Sequence, residues 1–315
     1  MNSFQNAVGG IKAPNLKKKK RFNLEEAQCI LFAGIPLLGF MIFGLVPLAI
    51  AIIMSFMEIP NFSIAEGTFI GAQNYVTVWN DKDFWGAVVN TLILGSSTLI
   101  SQVLSLGVAY LLSQEISGKK TFRIIYFIPY VCSIVAVAIM WRNMFNSYYG
   151  IINHMLGKTG AQGIKWFDES KYYSGVVIFV SVWSGMGYGI IMYTAALTGV
   201  NRSLVEASKI DGANPLRVFW NIVLPAISPT SFFLLVTGVI GALQCFTMPQ
   251  MLSAGSQSIY GPEKDGLTIV YYLYREMRVM GGMGTACASA MILAVMILFV
   301  TVIQFVGSKK WVNYD

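Results

Sequence analysis

The sequence predicts an all-α integral membrane protein with six transmembrane helices, and three observations carry that prediction. Hydrophobic residues make up 55% of the 315 and charged residues only 12%, a balance outside the ordinary soluble range. Six stretches, residues 27–57, 84–114, 124–141, 172–201, 218–262 and 279–308, are almost free of charge. Each approaches or exceeds the roughly 18–20 residues that a spanning helix needs. Their apolar runs are continuous, whereas outer-membrane strands alternate and last only about ten residues.

This divides the chain into a basic tail (1–26), a six-helix domain (27–308) and a short C-terminal tail (309–315). Fourteen of the 22 Lys and Arg residues fall in the tails and in the loops after spans two and four. By the positive-inside rule both termini are then cytoplasmic. The net charge of +7 is therefore read as a topology signal, with the basic run at 17–21 fixing the first helix at the membrane surface rather than binding nucleic acid. No cleavable leader is expected, because the first apolar run is too long and starts too late. Cys29, Cys132, Cys245 and Cys287 lie in apolar runs without CxxC spacing, so neither metal nor disulfide chemistry is expected.

Taken in order, span one carries Pro36 and Pro47, tolerable where neighbouring helices satisfy the freed carbonyls. The outside loop 58–83 leads to Trp79, Phe84 and Trp85, expected as interfacial anchors of span two. Span three contains Pro129. Span four contains Gly185 and Gly189, a GxxxG pair suited to close helix packing. Span five, centred on 227–252, holds Gln244 and is interrupted at 247–250, which favours a bundle interior or a cavity wall. The outside loop 253–280 ends in an expected surface helix, 268–280, read equally as a docking element or a solvated cap.

Chemistry-bearing motifs are scarce. Leu156–Thr159 reads "LGKT", like the end of a Walker A loop, but the upstream glycine position is Ile152, so this chain is not expected to hydrolyse ATP. His154, the single histidine, has no ligand-type residue at metal spacing. The spans also lack the ionisable groups on which secondary transporters rely. No cofactor is implied, and the energy for any transport has to come from outside the chain.

One polar stretch, residues 201–225, stands apart. Ser203 and Glu206 fit a capping box that starts a helix. Asp211 and Gly212 end it, the glycine supplying a left-handed turn. Asn214 caps a second helix with Pro215 at its first position. Leu216, Phe219, Trp220, Val223 and Leu224 then recur at helical spacing, giving an amphipathic helix along the membrane surface that Pro225 breaks. Local physics leaves two readings open: a rigid knob that transmits motion to a soluble partner, or a plain amphipathic connector.

The stretch resembles the EAA motif of membrane subunits of binding-protein-dependent ABC importers. Glu206, Ala207, Asp211, Gly212, Ile222, Leu224 and Pro225 stand at matching positions, with Ser208 replacing the motif's third residue. The segments 71–92, 126–145, 150–156 and 302–315 extend the resemblance, which is strongest to maltose-type permeases of the carbohydrate uptake family. It implies the six-helix type I importer permease fold, with a cytoplasmic coupling helix–turn–helix between helices 4 and 5. It also implies pairing with a second homologous permease, two cytoplasmic ATP-binding subunits and an extracytoplasmic sugar-binding protein.

The expected function is that of a carbohydrate permease subunit of an ATP-driven importer, with residues 206–212 transmitting ATPase closure to span five. A sugar path would combine aromatic faces with hydrogen-bonding groups, and Trp183, Tyr188, Tyr193, Gln244 and Phe246 are the candidates. A gradient-driven transporter or channel, and a glycerol phosphate permease, are the alternatives.

Overall fold

The computed structural model describes residues 24–114, 118–158, 160–254 and 256–313. The chain separates into two compact units, 1–50 and 51–315. Most of the basic tail, including the run at 17–21, lies outside the described residues.

In the first unit, helix α1 (Leu24–Phe40) passes through a π-helical turn (Met41–Leu45) into α2 (Val46–Met54), which runs on into the second unit. Residues Leu31–Met54 are long and apolar enough to cross a membrane, with Phe32 and Phe43 among the exposed side chains.

The second unit continues with a two-residue hairpin, β1 (Met57–Glu58) antiparallel to β2 (Thr68–Phe69), and helix α3 (Gln73–Asn80). Then come α4 (Lys82–Ser113), α5 (Lys119–Val131), α6 (Ile134–Met144), α7 (Ile151–Met155) and α8 (Ser170–Thr198). After the polar stretch follow α9 (Arg202–Ile210), α10 (Pro215–Val218), a second π-helical turn (Phe219–Val223) and α11 (Leu224–Ala226). The chain closes with α12 (Ser228–Leu243), α13 (Thr247–Ser253), α14 (Ile269–Arg278) and α15 (Met283–Ser308).

Among the described residues four helices reach spanning length and hydropathy, and the number rises to six when each of two bent pairs is taken as one span. The structure adds a sharp bend to span three and moves the interruption expected in span five from 247–250, which is helical, to residues 244–246. Span three is α5 and α6, bent by 98° where Cys132 adopts extended backbone and Ser133 also leaves the helical region, three residues after Pro129. The fifth helix α12 meets the preceding segment Pro215–Ala226 at 68° and is itself interrupted at residues 244–246. The Cys245 carbonyl, left over at that break, accepts a hydrogen bond from the Thr268 hydroxyl at 2.6 Å. Pro249 causes no further loss, because it falls in the first turn of α13, where amide hydrogens have no helical partner.

Small residues let the long helices approach. A β-carbon on Gly189 would lie 2.7 Å from Ser105, and one on Gly187 would lie 2.6 Å from the Tyr126 carbonyl. The GxxxG stretch of α8 therefore packs against α4 and α5 in the way its composition suggests.

One end of the unit is closed by polar architecture. Asn74, buried in α3, donates to the carbonyls of Ser55 and Met57 at 3.0 and 2.9 Å. Asn153, fully buried, donates to the carbonyls of Asn146, Ser147 and Ile164 and accepts from the Ile164 amide and the Trp166 indole. That single side chain organises the loop between α6 and α8.

Two more expectations change here. Phe84 is not an interfacial anchor: it is fully buried against Tyr272, while Trp79 and Trp85 remain exposed and pack edge to face. The helix expected at the surface over 268–280 is instead inserted into the core, with Ile269, Tyr271 and Tyr272 buried. Its hydrophilic members form an internal cluster. Arg275 pairs with Asp83 at 2.7 Å and Glu276 at 3.0 Å, and its guanidinium lies 4.8 Å from the Tyr272 ring centre. Burial works against the Arg275 charge, but hydrogen bonds and attraction from Asp83 and Glu276 outweigh it and hold its pKa above the ordinary value. Burial also raises the Tyr272 phenol, whose hydroxyl donates to Asp81 at 2.7 Å.

Candidate functional site

The polar stretch folds as two capped helical pieces, with one correction. The capping box of Ser203 and Glu206 does not form. Asn201 is the N-cap, its Oδ1 accepting the Ser203 amide at 3.0 Å and the Ser203 hydroxyl at 2.7 Å. The Asn201 carboxamide, two residues before Ser203, takes the free amide and the Ser203 hydroxyl together, and Glu206 is left exposed. Ala207 is exposed beside it, while Ser208 is half-buried and returns its hydroxyl to the Val205 carbonyl.

The far end of α9 is as the sequence implies. Asp211 is the C-cap and Gly212 has φ +78°. The amides of Gly212 and Ala213 bond to the carbonyls of Lys209 and Ser208, the paired pattern of a Schellman turn. Asn214 caps α10 through the Arg217 amide at 2.8 Å.

Beyond it, Pro225 does not break the helix where expected. The π-helical turn Phe219–Val223 absorbs it, the Leu224 amide reaching back five residues to the Phe219 carbonyl, and the chain bends only at Ile227. The extra residue in that turn shifts the phase of the apolar stripe. Val218 and Val223 are buried, Ile222, Leu224 and Pro225 are half-buried, and Leu216 and Trp220 stay exposed. With Ile210, 86% exposed, they leave a bare apolar surface on both sides of the Gly212 turn.

A second candidate site is a cavity of about 690 Å³ bounded by α4, α8, α12 and the helix breaks at 132–133 and 244–246. Gln244, Phe246 and Tyr188 line it as proposed from the sequence, but Trp183 and Tyr193 do not. Trp183 packs against Trp141 at 5.3 Å, and Tyr193 is buried beside Ala109, Ile227 and Leu234. Helical rotation separates them from Tyr188: residues five apart point to different faces of α8.

Sequence reading missed Tyr130, which stacks on Tyr188 at 5.5 Å, and the hydroxyl and amide groups of Ser101, Gln102, Ser184 and Thr237. The signal was available in Ser97, Ser101 and Ser105, spaced by four along one apolar helix. No Asp, Glu, Lys or Arg lines this cavity among the described residues. A smaller pocket, about 220 Å³, lies at the opposite ends of α6 and α13 and does include charge, with Arg142, Lys165 and Asp168 in its wall.

Residues 101–311 match the model of the family described as binding-protein-dependent transport system inner membrane component. The sn-glycerol-3-phosphate transport system permease protein UgpA of Yersinia enterocolitica is 31% identical over 277 residues, covering 87% of this chain and 91% of the relative. Its counterpart in Pectobacterium atrosepticum is 32% identical over 280 residues, with the same coverage. Among solved structures, a chain of a bacterial ABC transporter involved in the import of the acidic polysaccharide alginate superposes with a TM-score of 0.78 at 24% identity, covering 91% of this chain and 98% of that one. A family match over two thirds of the sequence and relatives more than 30% identical along most of their length make this chain a member of the binding-protein-dependent transport system inner membrane components, a multi-pass permease subunit rather than an enzyme.

Proposed function

We propose that the chain is the carbohydrate-conducting subunit of an ATP-driven importer and that the cavity between the two helix breaks is its half of the substrate path. The observation that carries this reading is the lining: hydroxyls, side-chain amides and the stacked pair Tyr130 and Tyr188, without a formal charge. Aromatic faces and uncharged hydrogen-bonding groups suit a neutral saccharide. A second permease would supply the facing wall, and an extracytoplasmic binding protein would deliver the sugar. Two cytoplasmic ATPases would seat the turn around Gly212, with Glu206, Ala207, Ser208 and Asp211 facing them and Ile222, Leu224 and Pro225 carrying the motion into α12. Both termini would be cytoplasmic. In support, the Asn313 amide bonds to Ser228 at 2.9 Å, which puts the C-terminal end on the side of the coupling segment. Residues 27–308 form the permease domain in this reading, with 1–26 and 309–315 as its tails.

A second reading, an anionic substrate, is favoured by two observations. The relatives cited above are named for glycerol phosphate, and Arg142 and Lys165 stand in the smaller pocket. Uptake into proteoliposomes holding the assembled complex separates the two. ATP-dependent accumulation of a neutral oligosaccharide, lowered at least tenfold by Gln244→Ala with ATP hydrolysis retained, supports the proposal. Preferential accumulation of sn-glycerol-3-phosphate overturns it in favour of the second reading. Uptake that follows an ion gradient without ATP overturns both.

A further inference from the structure

The bend at Ile227 joins the coupling segment to α12, and the C-terminal end of the chain lies directly on it. Ser228, the first residue of α12, is buried at 2% exposure, and its hydroxyl has two partners. It donates to the Pro225 carbonyl at 2.7 Å and accepts the backbone amide of Asn313 at 2.9 Å, 85 residues away. The local sequence explains the first bond. A continuing helix would give the Pro225 carbonyl the amide of residue 229, but residue 229 is proline and has none. The serine hydroxyl supplies a donor next to that gap.

The second bond is held in place by packing. After α15 the chain turns at Lys309 and Lys310, whose exposed side chains leave the backbone free to fold back. Trp311 then meets Phe232 at 6.0 Å, one turn into α12, and Phe232 in turn meets Phe305 of α15 at 5.1 Å. The result is a continuous chain, from the Asn313 N–H through the Ser228 O–H to the Pro225 carbonyl, across the point where the helix axis changes by 68°.

We infer that residues 308–313 act as a clasp on this bend, with Ser228 as the positioning residue that ties the C-terminal turn to the coupling segment so that α11 and α12 move together. Without the clasp, the bend between α11 and α12 is spanned only locally, by the Ile227 amide bonding back to the Val223 carbonyl and the Ser231 amide to the Ile227 carbonyl, and displacement of the turn around Gly212 is spent in flexing it. The inference rests on the coupling role proposed above and adds a residue and a segment to it.

The test needs no knowledge of the transported sugar, because Cys132 is exposed and lines the cavity. In proteoliposomes containing the assembled complex, labelling of Cys132 by a water-soluble maleimide is followed by mass spectrometry, with and without ATP plus vanadate. Ser228→Ala, Trp311→Ala and the double variant are compared with wild type, and ATP hydrolysis is measured alongside. The clasp requires that each single change keep hydrolysis but reduce the ATP-dependent shift in labelling at least fivefold, and that the double variant do no worse than either, since both cut the same chain. An unchanged shift in the single variants overturns the clasp, as do additive losses or loss of hydrolysis in both. Gly212→Val serves as the separate control on coupling. If wild type shows a shift and Gly212→Val retains it, the coupling role falls; if Gly212→Val loses it while Ser228→Ala and Trp311→Ala keep it, only the clasp falls.

Discussion

Gln102 of α4 donates its side-chain amide to the backbone carbonyl of Leu234 in α12 at 2.6 Å, joining two helices of the cavity wall through a polar bond in an apolar setting. The approach depends on Gly238, where a β-carbon would sit 2.5 Å from that amide and 2.6 Å from the Thr98 methyl. Gly238→Val should expel Gln102 and cost about 1–3 kcal/mol through overpacking. Gly241→Val, on the same helix with nothing within 4 Å of its β-carbon, should cost little. Thermal melting of the purified protein in one detergent reads both, and equal melting points would refute the packing argument.

At Gly212 the β-carbon has open space, so the only resistance to a side chain there is conformational, φ being +78°. Gly212→Asn should be tolerated, because asparagine visits the left-handed region readily, while Gly212→Val should strain the turn by about 1–2 kcal/mol. If the turn transmits force, ATP-dependent uptake falls several-fold in the valine variant alone, with membrane insertion unchanged. Equal uptake in the two variants would mean the turn's shape is not needed.

Asn74→Leu removes the donor from two carbonyls, those of Ser55 and Met57, in a buried site that Gly284 approaches closely. Leaving buried acceptors unmatched costs about 1–3 kcal/mol each. The variant should lose about 2–5 kcal/mol by denaturant unfolding, and protease cleavage should appear first in residues 55–80. A loss below about 1 kcal/mol would show that water replaces the amide.

The cluster around Arg275 predicts an asymmetry. Arg275→Met strands Glu276 in a largely buried setting, leaves Asp83 with Lys264 alone, and should destabilise by about 3–5 kcal/mol. Lys264→Met removes a half-exposed partner of the same Asp83 and should cost under about 1 kcal/mol. Comparable melting shifts for the two would contradict the burial argument.

The spans were legible through their length and apolar continuity, and the capped turn through Asp211, Gly212, Asn214 and Pro215, because both signals are local. What it concealed depended on residues far apart. The N-cap went to Asn201 because two caps competed and only the folded backbone chooses between them. The burial of 269–276 was hidden because Arg275 and Glu276 read as surface residues until Asp81 and Asp83, almost 200 positions earlier, arrive as partners. Trp183 and Tyr193 were drawn into the sugar path by residue type, where their position around the α8 axis decides. Asn153 gave no sign of organising a loop, since its partners span residues 146–166 and appear only when that loop closes.

The 98° bend in span three also bears on how the chain is made. Its halves have 13 and 11 residues, about 20 Å and 17 Å of helix, and neither alone crosses an apolar layer of about 30 Å. During synthesis the segment must therefore partition into lipid as one length and acquire its bend only when α8 and α13 have arrived to receive α5 and α6. The break that borders the finished cavity is thus a late event in biogenesis, and a ribosome-bound chain ending before α8 should hold span three as an ordinary straight helix.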